Sequence, residues 1–257
     1  MIRENKLKKI IKDGGYAIGT FVKMNDPASV EILGLSGLDF FVLDNEHVAM
    51  NRESMTNIVR AADAADIVPI VRVRENYQVE ILQALDAGAL GVQVPNVDTK
   101  EQAEYMVDSV KYNPIGKRGF SPTTRAAAYG LSDKKEYVKK SNENTLIVSH
   151  CETVECIKNL DDILKIKEID VIFIGPMDLS QSLGVIGEAN NPKVIEAIDL
   201  IIEKVKAANK AIGIVSTPEK APEYIKRGVQ YLLISTDQGM IASTAKQILK
   251  VVEGGME

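Results

Sequence analysis

Eight short apolar runs punctuate this chain at nearly even intervals, and helical patterns separate them. The runs are AIGTFV (17–22), LDFFVLD (38–44), VPIVRV (68–73), LGVQVP (90–95), TLIVSH (145–150), DVIFIG (170–175), AIGIVS (211–216) and YLLIST (231–236). Each has the length of a strand, is rich in Val, Ile and Phe, and is apolar on both faces. That is the pattern of a parallel strand covered by helices. Between the runs, Val194, Ile198, Ile201 and Val205 recur at three- and four-residue steps behind Pro192, a favoured first-turn residue. Thr99 with Gln102 forms a capping-box signature ahead of a helix through Tyr105 and Val110. LDAGA (85–89) and IKRGV (225–229) put glycine just past a helix end.

Eight β-then-α units in 257 residues predict an α/β chain folded as one (β/α)8 barrel, a single domain over 1–257 with an extra N-terminal helix. A doubly wound sheet would not give eight even repeats. One long excursion, Tyr112 to Asp133, is expected as a loop between helix four and strand five. A connection of that length is functional or disordered. Arg118 and Arg125 within it point to a mobile lid or a subunit contact.

Composition removes several function classes. With 45% hydrophobic and 26% charged residues the chain reads as an ordinary soluble protein, and a net charge of −5 argues against a nucleic-acid partner. DKKEYVKK (133–140) interleaves acids with its lysines and reads as a solvated helix face. No run approaches membrane-spanning length, and MIRENKLKKIIKDGG lacks the apolar core of a signal peptide. Cys151 and Cys156 fit neither a CxxC pair nor a disulfide framework, so a cytoplasmic location is expected.

In a (β/α)8 barrel the chemistry gathers where the strands end, at their C-terminal tips. Those tips carry Asp44, Glu46 and His47 after strand two, Arg72 in strand three, His150 and Glu152 in strand five, and Asp178 after strand six. Period-two parity puts His150 and Glu152 on one face and turns Cys151 toward the helices. Glu152 and Asp178 supply two hard oxygen ligands and leave open positions on an octahedral cation, which suits Mg or Mn. Helix capping would account for either acid alone. Arg72 in an apolar strand needs an anionic partner, either a barrel carboxylate or an oxygen that gains charge during reaction. His47, one of only two histidines, is the natural general base or acid. A Schiff-base aldolase is disfavoured, since strand six has no lysine. A sugar-phosphate enzyme is disfavoured too, since STPEK and STDQGM hold one glycine between them.

These residues resemble the HpcH/HpaI family of class II, metal-dependent pyruvate aldolases. The resemblance runs from FVKMNDPASVEILGLSGLDFFVLDNEH through PIVRV, LDAGALGVQVPNV, YNPIGKRG and IFIGPMDLSQSLG to the last helix. It implies that His47 accepts a proton, that Arg72 stabilises the developing enolate, and that Glu152 and Asp178 hold the metal. It further implies that the backbone at Met177 and Asp178 holds the pyruvate carboxylate, and that Asp86 raises the basicity of the histidine. Barrel geometry instead puts Asp86 at the opposite end, so it reaches His47 only if the local geometry departs from that picture or a neighbouring subunit supplies it. His150 stands where the family often has glutamine, and is expected at the substrate or the metal.

The expectation is therefore an aldehyde-lyase dependent on Mg, Mn or Co. It would cleave a 4-hydroxy-2-oxo acid, such as 2,4-dihydroxyhept-2-ene-1,7-dioate or a 2-keto-3-deoxy sugar acid, to pyruvate and an aldehyde. The resemblance also implies a homo-oligomer, a hexamer with the last helix at a subunit contact, and no membrane or nucleic-acid partner. The alternatives are a related lyase acting on acyl-CoA hydroxy acids and a non-catalytic barrel that binds an oxo acid.

Overall fold

In the computed structural model, which describes residues 4–254, all eight runs are strands. The three residues at each end of the expected 1–257 domain lie outside the described ones. The strands are β1 (Ala17–Val22), β2 (Phe40–Asp44), β3 (Val68–Arg72), β4 (Gly91–Val94), β5 (Leu146–Cys151), β6 (Val171–Ile174), β7 (Ala211–Ser216) and β8 (Tyr231–Thr236). Each pairs in parallel with the next, and β8 pairs with β1, so the sheet closes into a barrel without an edge.

The apolar character of both strand faces is explained by two separate cores. Inside the barrel, Phe21, Phe40, Val42, Ile70, Val148, Phe173, Tyr231 and Leu233 pack together. Residues of the opposite parity, among them Phe41, Leu43, Val71, Ile147, Cys151 and Ile172, pack outward against the helices. The interior is rich in rings: Phe40 and Tyr231 lie 4.3 Å apart between centroids, and Phe173 and Tyr231 6.0 Å. Gly213 on β7 makes room for them, because a Cβ there would sit 2.9 Å from Phe173 and 3.0 Å from Tyr231.

The helix starts and stops follow their local chemistry. Thr99 and Gln102 form the capping box, Pro192 opens the helix Pro192–Ala207, and Gly88 and Gly228 adopt positive φ just past helices. The N-terminal helix Lys6–Lys12 is present and seals the barrel floor. Its Leu7 joins the interior core, and the Asn5 amide donates to the carbonyls of Leu90 (2.8 Å) and Asn144 (2.9 Å).

The excursion Tyr112 to Asp133 joins the helix Lys100–Val110 to the helix Lys134–Asn144, which carries the DKKEYVKK helix face, buries Tyr137 and Ser141, and precedes β5. One expectation about it is corrected: it does not hang over the strand tips as a lid. Arg118 pairs with Asp86 at 2.7 Å and stacks on Tyr112, and Arg125 pairs with Asp63 and donates to the Ala87 carbonyl at 3.0 Å. Those partners lie where helices end and strands begin, so the segment straps the far end of the barrel. We predict that Gly213→Ala lowers stability by about 1–3 kcal/mol through overpacking. Urea unfolding checks this, and an unchanged midpoint would show that the rings have slack.

Candidate active site

The register of β2, β3 and β4 sets Asp44, Arg72 and Gln93 side by side, all with the inward parity. Arg72 is 6% exposed and Asp44 fully buried. Arg72 Nε donates to Asp44 Oδ1 at 3.0 Å and Nη2 donates to Oδ2 at 2.7 Å, a bidentate pair, while Nη1 lies 3.1 Å from Glu46 Oε2. The Phe21 ring lies beneath the guanidinium at 4.7 Å. Lys23 Nζ approaches Asp44 from β1 at 3.2 Å. Burial alone would raise the Asp44 carboxyl, but Arg72, the His47 amide and Lys23 hold it below its ordinary value. The barrel-carboxylate partner that Arg72 demands is thus Asp44 together with Glu46.

Asp44 also shapes the turn beyond β2. Its Oδ1 accepts from the backbone amides of Glu46 and His47, both at 3.1 Å. His47 consequently stands at the mouth with its side chain 54% exposed and Nε2 3.9 Å from Glu46 Oε2. Glu46 is the carboxylate beside His47. Burial pushes its carboxyl up in spite of Arg72, and the Glu152 charge adds to the rise. Asp86 sits elsewhere, at the end of the helix Gln78–Asp86 in its ion pair with Arg118, and does not meet His47 within one chain.

Glu152 and Asp178 flank a gap kept open by a glycine. A Cβ built on Gly175 would lie 2.9 Å from Glu152 Oε2 and 3.4 Å from Asp178 Oδ2. Glu152 is buried, and its Oε1 accepts from the Asn96 amide at 3.0 Å. Burial would raise it, but His150, that amide and Arg72 hold it below its usual value, ready as an anionic ligand. Asp178 lies in the first turn of the helix Pro176–Ser182, on its exposed side, next to exposed Met177. Among the described residues no cluster of three or more His, Cys, Asp and Glu forms a complete cation cage. Two hard oxygens around a vacant glycine fit a divalent cation that takes its other ligands from substrate and water.

His150 departs from expectation. It is 1% exposed, with Nδ1 2.6 Å from Glu152 Oε2 and Nε2 2.8 Å from Gln93 Nε2. Both ring nitrogens are occupied within the barrel, so neither is presented to a substrate or a metal. The sequence reading passed over Gln93 and Tyr231, whose hydroxyl donates to Gln93 Oε1 at 2.9 Å. A glutamine at an inward position of LGVQVP was the available signal.

Comparison with known proteins shows the family of the chain. A profile of the HpcH/HpaI aldolase/citrate lyase family matches residues 17–243. A 2-dehydro-3,6-dideoxy-6-sulfogluconate aldolase of Pseudomonas putida is 34% identical over 95% of this chain and 96% of its own. A 5-keto-4-deoxy-D-glucarate aldolase of Shigella boydii is 34% identical over 95% of each chain. Among solved structures, a citrate synthase superposes with a TM-score of 0.89 at 32% identity, covering 98% of this chain and 99% of its own. No helix among the described residues is long and apolar enough to cross a membrane. The chain belongs to the HpcH/HpaI aldolase/citrate lyase family.

Proposed function

We propose that the chain is an aldolase that cleaves a keto-deoxy sugar acid, a 4-hydroxy-2-oxo acid, to pyruvate and an aldehyde. The observation that carries this is a single barrel mouth at which Arg72, His47 and the two carboxylates around Gly175 meet. The two aldolases at 34% identity are named for keto-deoxy sugar acids and support the substrate class.

Glu152 and Asp178 would hold a divalent cation, Mg, Mn or Co, which when bound would supply Lewis-acid polarisation of the substrate's oxygens. The amides of Met177 and Asp178, in a first turn with no intrahelical acceptor, hold the carboxylate. Arg72 spends only part of its donor set on Asp44 and Glu46, and its remaining N–H groups meet the keto oxygen as negative charge grows there. His47, open to solvent beside Glu46, takes the 4-hydroxyl proton. The C3–C4 bond then breaks, its electron pair passes into the enolate, and the aldehyde leaves. Protonation at C3 releases pyruvate. Asp86 acts on His47 only from a second copy of the chain, because its own barrel keeps it at the far end.

Association into an oligomer is supported by the last helix, Asp237–Gly254. Its Ile241, Ile248 and Val252 recur on one exposed stripe, and Ile32 and Leu35 are exposed on the helix Pro27–Leu35. Apolar surface of this extent marks a protein contact, and we assign it to further copies of the chain, in a hexamer. The citrate synthase neighbour favours a second reading, in which the same mouth forms citrate by making a carbon–carbon bond.

A panel of 4-hydroxy-2-oxo acids with pyruvate detection tests the main reading. Pyruvate should be released, chelator should stop it, and added Mg, Mn or Co should restore it. His47→Ala should lower kcat by about 10²–10⁴-fold. No pyruvate from any member with cation present would overturn the reading, and citrate formation instead would establish the second. By light scattering the intact chain should run as a multiple of its own mass. Removal of 241–254 should lower that multiple, whereas a monomeric intact chain would contradict the assignment.

A further inference from the structure

Gln93 is the one polar side chain that β4 turns into the barrel, and it is fully buried there. An amide with no access to water is costly unless both its ends are bonded. Both are: Oε1 receives the Tyr231 hydroxyl at 2.9 Å, and Nε2 meets His150 Nε2 at 2.8 Å. The far nitrogen of His150, Nδ1, is 2.6 Å from Glu152 Oε2. Four side chains from β8, β4, β5 and the segment after β5 thus form one continuous line, ending on a carboxylate at the mouth.

The direction of that line is fixed by donor and acceptor arithmetic. Burial pushes the Tyr231 phenol well up, so it keeps its proton and remains a donor. Its one hydrogen bond among the described residues is to Gln93. A phenol that donates to Gln93 Oε1 leaves the amide N–H groups facing His150, so His150 Nε2 accepts. A neutral ring that accepts at Nε2 carries its proton on Nδ1, and an ionised Glu152 can only accept it. The line does not reverse at one link alone. Running it backward would leave the buried Tyr231 proton with no acceptor, and would require either a proton on Glu152 or a second proton on His150.

We propose that Gln93 and Tyr231 are positioning residues that hold neutral His150 in its Nδ1–H tautomer, and through it fix the Glu152 carboxylate toward Gly175 and Asp178. With Oε2 bonded to His150 and Oε1 to the Asn96 amide, Glu152 cannot rotate without breaking a short bond. Its remaining lone pairs stay aimed at the gap. Removing the hydrogen-bond partner of a metal ligand commonly alters metal affinity about 10–100-fold, and Gln93 acts on Glu152 through such a partner, His150. The consequence for a cation rests on the aldolase reading above, whereas the tautomer does not.

The chain suits a direct test because it has only two histidines. Long-range ¹H–¹⁵N spectra of the ¹⁵N-labelled protein give the tautomer of each ring, and His47→Gln assigns the pair. His150 should be Nδ1–H. In Gln93→Met that single tautomer should be lost, Mn(II) affinity measured by electron paramagnetic resonance should fall about 10-fold or more, and kcat should fall more than KM changes. Tyr231→Phe, which keeps the ring packing, should move all three in the same direction by less. If Gln93→Met does not fold, the wild-type spectrum and Tyr231→Phe decide the matter. An Nε2–H or doubly protonated His150 in the wild type would overturn the proposal, as would unchanged tautomer and Mn(II) affinity in the variants. Pyruvate release with an Nε2–H His150 would sink the positioning role alone. An Nδ1–H His150 and weakened Mn(II) binding in the variants, without pyruvate from any substrate, would sink the aldolase reading alone.

Discussion

A guanidinium buried inside a barrel of apolar side chains is the constraint around which the mouth is organised. Arg72 cannot sit between β2 and β4 without anions at bonding distance, and the β2–β3 register places Asp44 directly beside it. The same Asp44 carboxylate accepts from the Glu46 and His47 amides, so one side chain neutralises the cation and folds the turn that presents the histidine. Glu46, carried on that turn, returns to Arg72 from the other side. The electrostatic requirement of Arg72 and the placement of His47 are therefore one arrangement. Substituting Asp44 would disturb both.

The closed barrel supplies what local chemistry cannot, which is convergence. Glu152 and Asp178 come from successive units and are joined only because β5 and β6 are neighbours. Asp237 performs a similar task at the seam, where its carboxylate accepts from the Lys23 amide at 3.0 Å and the Met24 amide at 2.9 Å and ties β8 to the tip of β1. Glycine at 175 keeps the space between the two acids free, and glycine at 213 keeps space for the rings beneath them.

Much of this was legible in the residues. Strands apolar on both faces demanded two cores, parity turned Cys151 outward and His150 inward, and Arg72 in VPIVRV announced a buried partner. Asp86 was correctly placed at the far end by the helix–glycine pattern around it. What was hidden depends on distances across the barrel. Gln93 and Tyr231 are 138 residues apart, and each looks like an ordinary member of its strand. Their contact follows from closure of the sheet, and it is what withdraws His150 from the substrate. The excursion misled on one point: its arginines suggested a lid, but Arg118 and Arg125 pair with Asp86 and Asp63 at the far end of the barrel, a placement that only the folded chain shows.

The central claim is that this mouth stabilises the enolate of pyruvate, and proton exchange at the pyruvate methyl group reports that without knowledge of the aldehyde. The protein is incubated with pyruvate and Mg in deuterated buffer, and the methyl signal is followed by proton NMR. The account predicts loss of that signal well above the buffer rate, abolished in Arg72→Ala. A folded wild-type protein that leaves the methyl protons exchanging at the buffer rate would contradict it.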